Sequence, residues 1–324
     1  MNELAIPEVS ALAGRILDEV ERAVVGKRPA LGLVLSSVLA RGHVLLEDFP
    51  GLGKTLAARS FAQALGLEFR RAQFTPDLLP GDLTGSFIYD QRVGEFSFRR
   101  GPLFTGLLLA DEINRTPPKT QAALLEAMQE GQVTVEGETF PLAPPFHVLA
   151  TANPVEYEGT YPLPEAQLDR FLMRVAFGYP TRGQERDVLE RRMERRREEQ
   201  ALTAVTDAPT LIAMQDAVET VTVEDSVTQY CVDLATATRS HPHTLVGASP
   251  RGSLALLLTS RAYAVVADRD YVTPEDVKAV ATPALAHRIT VRPELWMSDA
   301  SGATVVRDVL TTVPAPAPGE LARA

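Results

Sequence analysis

Three stretches of the chain each end an apolar run in residues that can handle a phosphate group. The first is "DFPGLGKT" (48–55), which follows the run "HVLLE" (43–47). Gly51 and Gly53 let the backbone turn so that its N–H groups face a phosphate. Lys54 can then reach the β- and γ-phosphates, and the Thr55 hydroxyl can ligate Mg²⁺. The helix that begins there adds its positive end. Asp48 stands where the usual pattern has its first glycine, which works if that position, at a strand exit, needs no positive φ. Pro50 then stiffens the turn. The segment Pro50, Gly51, Leu52, Gly53, Lys54, Thr55 and Leu56 is the candidate phosphate-binding loop.

The second stretch is "LLLADEINR" (107–115). Leu107 to Ala110 read as a buried strand with Asp111 and Glu112 at its carboxyl end, where ligands bind in α/β sheets. Asp111 would bind the metal through water, and Glu112 would orient and deprotonate an attacking water. The third is "LATANP" (149–154), a strand ending in Asn153. An uncharged amide there can hydrogen-bond both the γ-phosphate and the water without quenching the base. Two arginines complete the set. Arg170 ends a predicted helix in "EAQLDRF" (165–171), and Arg251 starts one in "ASPRG" (248–252). Charge developing on a transferred phosphoryl group calls for a guanidinium, although most arginines serve as surface ion-pair partners.

These groups need a sheet to hold them. Short apolar runs at 43–47, 67–72, 106–111, 146–151 and 174–179 alternate with helical stretches, which predicts a mostly parallel sheet covered on both faces. Helices are predicted over 8–25 and roughly 28–40. Two β-hairpins are predicted inside the connections, over 85–104 around "DQRVGE" and over 131–142 turning at Glu136-Gly137; each precedes a core strand. Residues 181–200 are charged with mixed signs, which favours a solvated linker helix over a nucleic-acid clamp. From about 207 to 313 the pattern is helical, with a start signal at Thr273, and 314–324 is a Pro-Ala-rich tail expected to be disordered. The expected division is a core over 1–180, a linker helix over 181–206, a helical domain over 207–313 and the tail.

Composition narrows the function classes. A length of 324 residues suits two domains, and 45% apolar residues can bury a core. The net charge of −10 argues against a bulk nucleic-acid surface, though it leaves room for a local basic pore. The single cysteine, Cys231, forbids an intramolecular disulfide and is read as a small buried apolar group. No signal-peptide pattern opens the chain and no run of about 18 apolar residues could span a bilayer, so a cytoplasmic protein is expected.

Taken together, "VVG" (24–26), "DFPGLGKT", "LLLADEINRTPPKTQAALLEAMQE" (107–130), "ATANP", "LPEAQLDRF" (163–171) and "ASPRG" resemble the MoxR family of AAA+ ATPases, over roughly residues 5 to 310. The resemblance implies an α/β AAA+ P-loop core with strand order 5-1-4-3-2, two inserted β-hairpins, one in core helix 2 and one before sensor 1, and a C-terminal all-helical lid. It implies ATP with Mg²⁺ held between subunits of a ring, typically a hexamer. Val24, Val25 and Gly26 would line the adenine pocket. Asn153 would be sensor 1, Arg170 an arginine finger toward a neighbour's ATP, and Arg251 the sensor 2 residue, with cis or trans action left open. Asp at position 48 is common among these relatives. The family implies a chaperone-like remodeller with a protein partner, a von Willebrand factor A domain protein being one candidate. The alternatives are a nucleic-acid motor, disfavoured by hairpin tips poor in Lys and Arg, and a nucleotide-gated module with little turnover, disfavoured by Glu112 and Asn153.

Overall fold

The structure is a computed structural model that describes residues 4–92, 94–153, 161, 163–197 and 200–317. Five strands, β1 (Val44–Glu47), β2 (Phe69–Gln73), β5 (Leu107–Asp111), β8 (His147–Ala152) and β9 (Met173–Val175), form one parallel sheet in the order β2-β5-β8-β1-β9. Numbered as core strands one to five, this is the expected order 5-1-4-3-2 read from the other edge. Two expected runs are displaced. The run at 67–72 becomes a strand at Phe69–Gln73, and that at 174–179 only the three residues Met173–Val175, because Gly178 turns the chain at φ 63°.

The central strands are apolar almost throughout because both faces are covered. Val44, Leu46, Leu107, Leu109 and Leu149 point into one core, and Leu45, Leu108, Ala110, Val148 and Ala150 into the other. This is the alternation that a pleated strand imposes. The first core joins the sheet to α1 (Ile6–Glu21), α2 (Arg28–Leu39) and α3 (Lys54–Ala64), and continues without a break into the C-terminal helices. Helix α1 stops at Glu21, four residues short of the expected end. Arg28 there bridges Asp18 and Glu21 at 2.5 and 2.7 Å, folding the chain back before Gly26.

The second core lies under α4 (Pro80–Thr84), α5 (Pro118–Glu130) and the two hairpins, β3 (Gly85–Asp90) with β4 (Glu95–Arg100) and β6 (Gln132–Val135) with β7 (Glu138–Pro141). Both hairpins form where expected, the second turning at Glu136 and Gly137, each at positive φ. Of the helix into which the first is inserted, the single turn Pro80–Thr84 stands before the hairpin. The hairpins lean on each other: Phe98 stacks on Phe140 with centroids 4.0 Å apart and planes 10° from parallel, and Phe87 packs beside both.

A four-residue helix, α6 (Glu165–Leu168), precedes β9, and α7 (Arg182–Arg195) follows it as a helix with no buried residue. The remaining chain forms α8 (Ala208–Val218), α9 (Asp225–Ser240), α10 (Pro250–Val266), α11 (Pro274–Leu285) and α12 (Gly302–Thr312). A small antiparallel pair, β10 (Thr244–Val246) with β11 (Thr290–Val291), departs from the all-helical expectation for this region. Cys231 is buried on α9, and burial pushes its thiol up to about 12. Among the described residues no helix is long and apolar enough to cross a membrane. Residues 318–324 of the expected tail lie outside the described residues.

Candidate active site

Strand β1 delivers the loop at 48–55 to the carboxyl end of the sheet. Gly51 (φ 81°) and Gly53 (φ 85°) adopt the left-handed conformation that residues with a Cβ avoid, and α3 starts at Lys54. Asp48 is not among the residues at positive φ, so the glycine usual at this position is not needed. Its buried carboxylate does something glycine could not. Oδ2 accepts from the backbone N–H groups of Phe177 (2.8 Å) and Gly178 (2.6 Å), while Oδ1 accepts from Phe49 N–H (2.9 Å). The mouth of the loop is thereby tied to the chain leaving β9. The Lys54 ammonium donates to the carbonyls of Asp48 and Phe49. Burial lowers its pKa, opposed by the surrounding carboxylates of Asp48, Asp111, Glu112 and Glu47.

Asp111 and Glu112 emerge from β5, next to β8. Thr151 sits between them: its hydroxyl donates to Asp111 Oδ1 at 2.6 Å and accepts from Glu112 N–H at 2.8 Å. On the other side, Arg71 donates to Asp111 Oδ2 from Nε (2.9 Å) and Nη2 (2.6 Å). Arg71 Nη2 also donates to Gln73 Oε1 (2.5 Å), and Gln73 Nε2 donates to Glu112 Oε2 (2.6 Å). Arg115 approaches the same Glu112 oxygen at 3.2 Å. Glu112 has φ 59°, a costly conformation for a residue with a side chain. Its N–H bond to Thr151 helps hold it there, aiming the carboxylate past the strand end. Gln73, Arg71 and Thr151 were not singled out from sequence. The available signal was Thr151, a polar residue among the apolar buried positions Val148 to Ala152 of β8, which must find a partner.

Asn153 follows β8 and is buried; its carbonyl accepts from Asn114 Nδ2 at 3.2 Å. Asp48 N–H donates to Ala152 O at 3.4 Å, which links the loop to the strand bearing Asn153. Lys54, Asp111, Glu112 and Asn153 thus gather beyond the carboxyl ends of three neighbouring strands. Pro154, the last residue of the "ATANP" motif, lies outside the described residues. Val25 and Gly26 lie between α1 and α2, where Gln184 of α7 donates to Gly26 O at 2.9 Å and Lys27 donates to Gly178 O at 2.8 Å. The candidate adenine-pocket residues therefore border the segment that holds Asp48.

Arg170 and Arg251 do not join this group. Val44 is level with Met173, and Leu172 N–H donates to His43 O at 2.9 Å, so Arg170 lies at the amino ends of β1 and β9. The loop at 48–55 lies beyond the carboxyl end of β1, a strand of roughly 13 Å away at about 3.3 Å per residue. Arg170 and Arg251 instead line one cleft of about 290 Å³ together with Arg41, Asp169 and Arg288. Arg251 sits in the first turn of α10, where Ser249 caps the helix and accepts Arg251 N–H at 3.2 Å. Its guanidinium is 3.8 Å from Asp169 Oδ2. The half-buried Arg170 guanidinium has no hydrogen-bond or ion-pair partner among the described residues.

A parallel sheet of order 5-1-4-3-2, a glycine loop feeding a helix, an acidic pair on the strand two places away and an amide on the strand between define an AAA+ ATPase. The comparisons agree. The family model for the ATPase family associated with various cellular activities (AAA) matches residues 43–173, and that for the AAA lid domain matches 236–309. The chain is 48% identical to the uncharacterized protein YeaC of Bacillus subtilis, covering 95% of this chain and 96% of that protein. It is 42% identical to Chaperone MoxR1 of Mycobacterium tuberculosis, covering 93% and 82% respectively. A solved structure from Cytophaga hutchinsonii, assigned as a candidate ATPase, superposes with a TM-score of 0.88 at 39% identity, covering 96% of both chains. The chain belongs to the MoxR family of AAA+ ATPases.

Proposed function

We propose that this protein hydrolyses ATP with Mg²⁺ in a ring of identical subunits and uses the cycle to remodel a protein partner. The reading is supported above all by one separation. Lys54, Asp111, Glu112 and Asn153 stand at the carboxyl ends of the strands, and Arg170, whose guanidinium has no partner among the described residues, stands at the amino ends of the same sheet. Each subunit would bring a phosphate-binding half to one neighbour and an arginine-bearing half to the other.

The backbone N–H groups around Gly51 to Lys54 would cradle the phosphates, and the Lys54 ammonium would leave its carbonyl partners for the β- and γ-oxygens. Thr55, exposed in the first turn of α3, and Asp111 provide the hard oxygen donors that Mg²⁺ prefers. The ion would neutralise charge on the β- and γ-phosphates. Glu112 would take a proton from the attacking water, with Asn153 holding that water in line. Val25, Gly26 and the flanking Pro50, Leu52 and Leu56 would enclose the rest of the nucleotide. Arg170, with Arg251 beside it, would meet the charge developing on the neighbour's γ-phosphate. Because Arg251 shares Asp169 with the Arg170 segment, we assign it to the same trans site.

A protein client fits the hairpins better than nucleic acid. At the far end of the first hairpin, Tyr89 and Phe96 are 51% and 70% exposed and pack with centroids 5.2 Å apart. The adjacent Asp90 and Glu95 put negative charge where a nucleic-acid groove would be basic. A partner with a von Willebrand factor A domain is one candidate. To test the reading, Lys54→Ala should lose binding of a fluorescent ATP analogue, while Glu112→Gln should bind it and cease turnover. Parent-rate hydrolysis by Glu112→Gln would remove the base assignment. The ATP-held Glu112→Gln form should retain protein and not DNA. Tight, salt-sensitive DNA binding in a gel shift would instead favour a nucleic-acid motor.

A further inference from the structure

Arg288 lies in the turn after α11, in the C-terminal helical region, and its side chain is only 3% exposed. Every arm of its guanidinium is engaged. Nε donates to Ala284 O, at the end of α11, at 2.7 Å. Nη1 donates to the Asp169 backbone carbonyl at 2.9 Å and to Asp169 Oδ1, and Nη2 donates to Phe171 O at 2.9 Å. The two carbonyls belong to the residues on either side of Arg170, so a single guanidinium fork holds the backbone just before and just after it. His287 adds a second bond to Phe171 O, donated from Nε2 at 3.0 Å. Burial holds His287 neutral, well below the usual imidazole range, so only one ring nitrogen carries a proton. The other oxygen of Asp169 faces the Ser249 hydroxyl at 3.5 Å and Arg251 at 3.8 Å. One carboxylate therefore joins the segment bearing Arg170, the helix start bearing Arg251, and the buried Arg288.

We propose that Arg288 is a positioning residue for catalysis across the subunit boundary: it fixes, from the helical lid, the place of Arg170 and, through Asp169, of Arg251 in the neighbour's nucleotide site. The proposal rests on the reading that these arginines act in trans. Arg288 itself is too enclosed to touch that nucleotide. Its role follows from the geometry of the fork, since only a planar group with several parallel N–H bonds can hold two carbonyls and a carboxylate at once. A lysine could keep the charge opposite Asp169 but not both carbonyls. The consequence is a coupling between domains. A shift of the lid relative to the sheet moves the two arginines together, as one unit.

The test uses Arg288→Lys and Asp169→Asn in the full chain, with thermal melting recorded for each. A displacement of about 1 Å at a reacting centre can cost about 10²-fold in rate. Both variants are expected to lose about 10²-fold in kcat, with KM changed less than about 3-fold. Binding of a fluorescent ATP analogue to their own phosphate loops should be unchanged. Each is then mixed with Lys54→Ala, whose loop is dead and whose arginine edge is intact. Interfaces that join the variant's loop to the Lys54→Ala subunit's arginine edge should restore ATPase above the sum of the two alone. A mixture of Arg170→Ala with Lys54→Ala is run beside it. Unchanged kcat in both Arg288→Lys and Asp169→Asn overturns the proposal. So does recovery in the Arg170 mixture without recovery in the Arg288 mixture, which would mean that Arg288 serves its own subunit's fold. Recovery in neither mixture removes the trans reading itself, and the proposal with it.

Discussion

The Gln73 carboxamide donates from Nε2 to Glu112 Oε2 at 2.6 Å, bringing together residues 39 positions apart and pinning the carboxylate that we assign as the base. Gln73 Oε1 is in turn held by Arg71, which also holds Asp111. The orientation of Glu112 is thus set from β2, a strand that carries none of the motif residues.

Gln73→Ala should therefore slow turnover by about 10-fold, a fraction of the 10²–10⁴ that a well-placed general base contributes. Equilibrium binding of ATP should be unchanged, because Gln73 does not reach the phosphate loop. Steady-state ATPase with a parallel binding isotherm separates the two. An unaltered kcat would mean that the contact is broken before the chemical step.

Asp48→Ala removes the acceptor for three backbone N–H groups, those of Phe49, Phe177 and Gly178. Hydrogen bonds to a charged group contribute about 1.5–3 kcal/mol, so a loss of about 2–4 kcal/mol in unfolding free energy is expected, measured by urea titration. Nucleotide affinity should fall as well, since the loop loses its anchor at Phe177 and Gly178. Asp48→Gly would restore the usual phosphate-loop pattern without restoring either. Full affinity in Asp48→Gly would show that the anchor is dispensable.

Acid should unfold the protein partly through two buried histidines. His43 donates from Nε2 to Met128 O and accepts Val148 N–H at Nδ1, both at 3.0 Å. His147 donates from Nδ1 to Gly42 O (3.1 Å) and accepts from Gln215 at Nε2 (3.0 Å). Burial lowers each to about 4 from 6.5. The unfolded chain then binds more protons than the folded one between those values, so stability is full above pH 6.5 and falls as pH drops toward 4. The loss is about 2 kcal/mol per histidine at pH 5. Urea midpoints at pH 7.5 and 5 should show it, and His147→Gln should shallow the slope. An identical slope in that variant would place the acid sensitivity elsewhere.

The sheet and its strand-terminal groups were legible because each is announced locally, by an apolar run followed at once by a polar residue. Asp111 and Asn153 follow this rule, and Lys54 is announced by the glycine turn between β1 and α3. What was not legible depends on pairs far apart in sequence. The local pattern makes Asp48 a tolerated substitute for glycine, whereas its carboxylate bonds residues 129 and 130 positions later. Arg288 meets Asp169 across 119 residues. Nothing in its own helix announces that contact, since a basic residue at a helix end is common for dipole reasons alone. The apolar pattern outruns α1 for the same reason: it continues to Val25, and the bridges from Arg28 to Asp18 and Glu21 override it.

The stacking of Phe98 on Phe140 gives the two inserted hairpins a common axle. An aromatic face-to-face contact of 4.0 Å, with Phe87 packed against both rings, lets neither hairpin tilt without dragging the other. One of them directly precedes β5, with Asp111 and Glu112 at its tip, and the other precedes β8 with Asn153 after it. Strain arising at Glu112 or at Asn153 would therefore reach Tyr89 and Phe96 as a single rigid stroke. A fluorophore on either hairpin would then record the same displacement.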